Sequence, residues 1–186
     1  IKKLESFKNK YSTKFEVFQG ASEAGIGIGI LSALIQAGAL EGEFDHSRSY
    51  IVAESQLWNL LTPREKAKAF DVSEEKKCDL MQIVKFLNKE LKDEKGRPFI
   101  KDSRIDTIRR NFKLYNEIYK KNKRNEDFAN WYYENSLLGY THGKFLRKVS
   151  SEYSHLESIE SALSKDDNSR VNFIGTVEDT YSAKSR

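Results

Sequence analysis

Apolar residues along this chain recur mostly three or four positions apart, which is the spacing of helices that bury one face. The first clear set predicts a helix that stops near residues 38–42 and consists of Leu31, Leu34, Ile35 and Ala39. Sets with the same spacing follow as far as Leu137, and the sequence contains only two prolines. The pattern therefore predicts a mainly α fold.

Residues typical of helix N-caps predict where several helices begin. Thr62, Pro63 and Glu65 have the order of an N-cap, a first-position proline and a capping-box acid, so a helix is expected to begin at Pro63. Ser47 is expected to cap the preceding helix, and Ser103 to open the longest one. Residues 171–181 differ, because β-branched and aromatic residues there predict a strand. One strand cannot form a domain, so we expect the chain to stop as a β domain begins.

The composition excludes several classes of protein. The 186 residues are 32% charged with a net charge of +4, and they contain neither a transmembrane-length apolar run nor a visible signal peptide. The lone Cys78 excludes an internal disulfide and a cysteine zinc cluster, and the histidines are too isolated to predict a metal site. We therefore expect a cytoplasmic protein without membrane partners. Because position 1 is isoleucine, we expect a piece of a longer protein.

The stretch GIGIGILSALIQAGAL, Gly25–Leu40, places three glycines directly before a helix. It lacks the third glycine of a dinucleotide-binding pattern and the Gly-Lys-Ser/Thr of a P-loop. Gly27-Ile28-Gly29 followed by Ala33 has instead the spacing of a helix-hairpin-helix element. There, open backbone N–H groups at the start of the second helix hold a DNA phosphate, and Ile28 would insert into the helical layer. The alternative is a glycine turn that joins two helices and binds nothing.

Positive charge is concentrated between Lys101 and Arg124, where nine Lys/Arg face three Asp/Glu. Such a helix face can follow a row of phosphates, or it can simply be solvated. The candidate phosphate contacts on this helix are Arg104, Arg109, Arg110 and Lys113.

Three segments, in this order, resemble the C-terminal half of the bacterial DNA polymerase III α subunits, the C-family replicative polymerases. ILSALIQAGALEGEFDHSR, residues 30–48, is similar to the family's helix ending in Leu-Ile-x-x-Gly-Ala before an Arg-led helix. ENSLLGYTHGKFL, residues 134–146, resembles its Leu-Leu-Gly turn. VNFIGTVEDTYSAKSR, residues 171–186, looks like the first strand of its OB-fold. Residues 80–130 match no family segment and are interpreted as a possible insertion.

The resemblance implies a helix-hairpin-helix segment in residues 1–42, a helical region in 43–165 and the start of a truncated OB-fold in 166–186. It also implies a parent DNA-directed DNA polymerase that uses Mg²⁺ and has its catalytic carboxylates elsewhere. No catalytic or metal-binding residue is therefore expected in this chain, which would hold primer–template duplex DNA without reading its sequence. Besides the four basic residues named above, the expected DNA contacts are Gly25, Gly27, Ile28, Gly29 and Arg48.

A second candidate site is QLWNLL, residues 56–61, which resembles the short peptides that bind the sliding clamp. Its expected contact residues are Gln56, Leu57, Leu60 and Leu61. Such a peptide should be extended and exposed, whereas this one lies within a helical pattern. The alternative function is a protein-interaction module that contacts a clamp or replisome and has no DNA affinity of its own.

Overall fold

The computed structural model describes residues 11–40, 46–76, 78–123, 125–139, 156–157 and 159–172. Contacts divide the chain into two units, residues 1–140 and 141–186. The domain boundaries expected from the sequence, at 42/43 and 165/166, differ from this division.

The described residues are mainly helical, as the apolar spacing predicts. The first unit contains α1 (Lys14–Glu23), α2 (Ile28–Gln36), α3 (Arg48–Leu60), α4 (Pro63–Lys76), α5 (Leu80–Lys89), α6 (Asp102–Lys120) and α7 (Glu126–Leu138).

In the second unit, the described part contains α8 (Ile159–Leu163) and an exposed turn at residues 166–169. Of the predicted strand 171–181, Val171 and Asn172 have no regular structure, and the remaining positions lie outside the described residues. The OB-fold therefore stays a prediction.

Local capping determines where several helices begin. The expected capping box is present: the Glu65 amide donates to Thr62 Oγ1 at 3.2 Å, and the Thr62 amide donates to Glu65 Oε2 at 2.8 Å. Asp79 and Gln82 form a second capping box at the start of α5. Ser47 precedes α3 as predicted, but its side chain does not cap the helix. The Glu126 carboxylate does so instead, accepting from the Ser49 amide at 3.1 Å.

Helix α3 lies at the centre of the first unit, with α2 and α6 packed against it. Gln56 in the last turns of α3 donates to Ser32 Oγ at 2.8 Å in the middle of α2, whereas Arg48 at the start of α3 contacts Gln36 at the end of α2, so α2 and α3 are antiparallel. Helix α6 is also antiparallel to α3, because Arg104 at its start contacts the carbonyl of Leu60. The α1–α2 turn and the start of α6 therefore lie at the same end of the bundle, beside the C-terminal end of α3.

A buried ion pair joins three of these helices. Lys14 Nζ on α1 lies 2.5 Å from Glu54 Oε2 on α3, and the Glu54 side chain is fully buried. Glu54 Oε1 also accepts from the Leu80 amide at 2.8 Å, one of the donors that α5 cannot satisfy internally. Burial raises the pKa of Glu54, and the nearby Lys14 ammonium and Leu80 amide partly offset this rise.

A second buried pair places Arg48 inside the protein. Its guanidinium donates to the Gln36 carbonyl at 2.9 Å and lies 3.5 Å from the Glu134 carboxylate on α7. The Arg48 side chain is only 4% exposed. The prediction that Arg48 contacts DNA is therefore wrong, because its charge is used to hold the end of α2 and α7 against α3.

We expect Glu54→Gln to lower the free energy of unfolding by about 3 kcal/mol, because it leaves the Lys14 ammonium buried without a counter-charge. The glutamine carbonyl still accepts from the Leu80 amide, so the change isolates the charge. Urea unfolding at pH 7 measures the loss, and Lys14→Met combined with Glu54→Gln should recover most of it. Equal stability of Glu54→Gln and the parent would show that the pair contributes nothing.

Candidate nucleic-acid interface

The turn between α1 and α2 is built by a glycine in the left-handed conformation. Helix α1 ends at Glu23 with Ala24 as its C-cap, and Gly25 follows with a φ of +68°. The Ile26 amide donates to the Ala21 carbonyl at 2.8 Å and the Gly25 amide to the Ser22 carbonyl at 3.1 Å. These two bonds form a Schellman motif, which requires a residue that tolerates positive φ. Ile26 then enters the core and is 6% exposed.

The hairpin is thus Gly25-Ile26-Gly27, two positions earlier than the sequence spacing indicates. Ile26 is the residue that inserts into the helical layer, whereas Ile28 is only partly buried against the core. The prediction that Ile28 is the inserted residue is therefore wrong. The register is set by Gly25, the only glycine of the three with a positive φ.

The start of α2 is open to solvent. Gly27 is the N-cap residue, no side chain caps this helix, and Gly27 and Gly29 are both exposed. A Cβ atom added at either glycine would meet nothing within 4 Å. The first amides of a helix have no partner within it, so those of Ile28 and Gly29 form a small positive surface that an anion can approach closely.

A groove of about 280 Å³ lies directly beside this helix start. Its floor is apolar and includes Ile26 and Trp58, and its rim includes Asn59 at the end of α3 and Lys66 in α4. Lys66 is partly exposed and has no ion pair among the described residues, whereas its neighbour Lys68 lies 3.4 Å from Asp71. Lys66 is therefore a cation available to a ligand beside the hairpin.

Sequence reasoning missed Lys66. The predicted helix start at Pro63 places this lysine in the first turns of α4, but helical spacing alone does not tell which neighbour that turn faces. Its position depends on the packing of α4 beside the end of α3.

The four basic candidates on α6 differ in their position along the helix and in their partners. Arg104 lies at the hairpin end of the bundle but donates to the Leu60 carbonyl at 2.7 Å and lies 3.3 Å from Glu65. Burial alone would raise the pKa of Glu65, but the Thr62 amide and the Arg104 guanidinium together lower it. Arg104 is thus already partnered within the protein.

The other three candidates, Arg109, Arg110 and Lys113, are exposed farther along α6. Arg109 lies 3.9 Å from Asp106 and Lys113 lies 3.7 Å from Glu117, so acidic residues interrupt this face. At a rise of about 1.5 Å per residue, Lys113 is roughly 13 Å along the helix from Arg104. The basic segment of the sequence therefore does not form one continuous cationic surface beside the hairpin.

The candidate clamp-binding peptide is part of the bundle. Gln56, Leu57 and Leu60 lie in α3, and Leu61 follows it. Leu57 and Leu61 are buried, and Gln56 is hydrogen-bonded to Ser32. The prediction of a clamp contact here is wrong, because an extended and exposed peptide cannot be formed by these residues while α3 is folded.

The opposite end of the bundle has a larger polar depression of about 510 Å³, lined partly by His46, Arg48, Glu126 and Asn130. Its charged groups are engaged with the protein: Glu126 Oε2 lies 3.0 Å from Lys120 Nζ, and Arg48 is paired as described above. Burial would raise the pKa of Glu126, but hydrogen bonds from Ser49, Lys120 and Ser47 lower it.

Among the described residues, no group of three or more His, Cys, Asp or Glu could hold a metal ion. Within the same part of the chain, no helix has the length and apolar character needed to cross a membrane. Comparisons of the chain with protein-family models, with curated proteins and with solved structures return no match.

We expect Glu126→Gln to destabilise the protein by about 1 kcal/mol at pH 7, because it weakens the charged cap of α3 and the contact with Lys120. A carboxyl whose pKa is lowered by folding stabilises the native state above its unfolded pKa, and this contribution is lost as the pH falls through the folded pKa. The difference between variant and parent should therefore shrink progressively as the pH falls below about 4.3, the ordinary glutamate pKa. Urea unfolding at several pH values measures it; a difference that stays constant from pH 7 to pH 3 would contradict the assignment.

Proposed function

We propose that this chain binds the sugar-phosphate backbone of duplex DNA without reading its sequence. The observation that carries the proposal is the open start of α2, where Gly27 and Gly29 are exposed and Gly27 lines the same groove as Lys66, a lysine with no ion pair among the described residues. A phosphate oxygen placed there accepts hydrogen bonds from helix amides and faces a cation. Contacts of this type hold the backbone and carry no base information.

The absence of side chains at Gly27 and Gly29 has a direct physical role in this binding. A Cβ at either position would project into solvent, where it would hold a phosphate away from the amides. The fold itself leaves room for these atoms, so packing does not explain why the positions are glycine. Close approach of a ligand to the main chain does explain it.

Duplex DNA fits this end of the bundle better than single-stranded DNA. Proteins that hold single strands without sequence preference usually stack bases on exposed aromatic rings. Of the aromatic residues in the groove, Phe18 and Trp58 are both buried. The groove therefore offers amides and a cation for phosphates but no platform for bases.

The resemblance of three sequence segments to the C-family polymerases supports the proposal that this binding serves template-directed DNA synthesis. In that setting the chain would hold the duplex, while Mg²⁺ and the catalytic carboxylates act in another part of the parent protein. Detection of an Asp-x-Asp palm motif upstream in the same gene, with metal-dependent primer extension by the longer protein, tests this parentage.

Exposed apolar residues favour the alternative function, a protein-interaction module. Leu114 and Ile118, four positions apart on α6, are 48% and 50% exposed. Residues at this spacing form one stripe on a helix, which is a common way to contact another protein. A duplex-binding assay at two salt concentrations separates the two functions, since this alternative predicts no DNA affinity.

Gly27→Val and Gly29→Val should each weaken binding to random-sequence duplex DNA by about tenfold, because a side chain displaces the phosphate from the helix amides. Both positions have room for a side chain, Gly27 has a φ of −66° and Gly29 is helical, so both variants are expected to fold. Fluorescence anisotropy measures the affinity, and circular dichroism checks the helix content. Folded variants that bind as tightly as the parent would refute the role of the hairpin.

Lys66→Gln should weaken duplex binding about threefold or more and reduce the slope of log K against log salt by about 0.9, the value for one lost phosphate contact. Lys68→Gln is the matched control, since Lys68 is in the same helix and is paired with Asp71. The two variants change the net charge equally. Identical salt slopes for both would rule out a specific contact at Lys66.

A further inference from the structure

The connection between α5 and α6 is a tight, exposed β-turn-like loop, residues 92–98. Lys92 and Pro98 form an antiparallel bridge, and the Asp93 amide donates to the Arg97 carbonyl at 2.8 Å. Gly96 has a φ of +73°, which lets the chain reverse. Lys92 and Lys95 are exposed, and neither has an ion pair among the described residues.

One carboxylate holds this loop in a single shape. Asp93 Oδ1 accepts from the amides of Lys95 and Arg97, both at 2.9 Å, and Asp93 Oδ2 accepts from Arg97 Nε at 3.0 Å and Nη2 at 2.8 Å. The hydrogen bonds from Arg97 lower the pKa of Asp93, so the carboxyl is ionised at neutral pH. The charges of Asp93 and Arg97 are thus paired with each other, and the two lysines face solvent with Glu94 as the one exposed acid within the loop.

Helix α4 contacts the residue that directly follows this loop and also lines the groove beside the glycine hairpin. The Arg64 guanidinium stacks over the ring of Phe99, 4.6 Å from its centroid, while Lys66 lines the groove beside Gly27. Two residues span about 200° of a helix, so Arg64 and Lys66 point to opposite sides of α4. The first turns of α4 therefore have the hairpin on one side and Phe99, at the end of the loop, on the other.

We infer that the loop at residues 92–98 is a second DNA-backbone contact, so that the duplex crosses the end of the bundle from the hairpin to the loop. This inference rests on the proposed function. A helix with its side chains is about 10–12 Å across, which is close to the ~12 Å width of the major groove. We therefore expect two elements separated by the width of α4 to meet phosphates on opposite strands.

The internal hydrogen bonds of the loop matter for this contact. A loop that is already ordered loses little conformational freedom when it binds, so two lysines on it contribute more than two lysines on mobile chain. Asp93 therefore assists binding to a polyanion although its own charge is negative. Asp93 orders the loop, which favours binding, but its charge repels DNA. Removing Asp93 therefore tests which of the two effects is larger.

The first test compares two double variants that remove the same charge. Lys92→Gln/Lys95→Gln should weaken duplex binding about tenfold at moderate salt and reduce the salt slope by about 1.8, the value for two phosphate contacts. Lys85→Gln/Lys121→Gln, which changes exposed lysines elsewhere, should change affinity less than about twofold because long-range charge effects are screened. A single-stranded oligonucleotide should show little difference between the two.

The second test removes the negative charge that orders the loop. Asp93→Ala should weaken duplex binding, whereas Asp71→Ala, which removes an exposed carboxylate paired with Lys68, should leave binding unchanged or slightly tighter. If simple charge controlled binding, both variants would bind more tightly than the parent. If Asp93→Ala lost helix content, the lysine double variant alone would decide.

The outcomes separate the two proposals. Equal binding by the two double variants overturns the loop contact, and a tenfold loss in Gly27→Val then leaves the hairpin proposal standing. Failure of the parent chain to bind duplex DNA overturns both.

Discussion

Two buried charges on one helix determine the arrangement of the first unit. Helix α3 carries Arg48 and Glu54, and each side chain is almost completely removed from water. An unpaired charge in such a position costs several kcal/mol, so α3 can be buried only if other helices bring counter-charges to both positions. Lys14 and Glu134 do so from α1 and α7, and the Glu54 carboxylate also takes up the first amide of α5. The bundle is therefore specified by polar pairing as much as by apolar packing.

This pairing explains how a bare glycine turn can be a rigid surface. Helix α1 is fixed to α3 at its first residue by Lys14, and α2 is fixed to α3 at its last residue by Arg48. The turn between them is then closed by the Schellman bonds at Gly25 and by the burial of Ile26. Helix amides that are held in this way can receive a phosphate without further ordering. The groove beside Lys66 follows from the same packing, because α4 begins directly after α3.

Local signals predicted much of the fold, and tertiary contacts account for the failures. Helical spacing and the Thr62–Glu65 capping box depend on neighbours in sequence, so those boundaries were correct. A turn between two helices lies at Gly25–Gly27, which both interpretations of the glycines allow, but the expected register was wrong, because alternate glycines and isoleucines give two equivalent patterns. Arg48 was misassigned because its partner Glu134 is 86 residues away in the sequence, and Lys66 was missed because no local pattern gives the side of α4 that meets the hairpin.

The open space around Gly29 also has a thermodynamic consequence for the bundle. Glycine in a helix interior is less favourable than alanine by about 0.5–1 kcal/mol, because it loses more backbone freedom when it is ordered, and a cost in the same direction applies to Gly29 in the first turn of α2. No neighbouring atom excludes a side chain at Gly29, so α2 is less stable than it would be with alanine at this position. In this helix, an exposed main chain and high stability therefore oppose each other. Gly29→Ala would stabilise α2 but would also cover part of the main chain at its start.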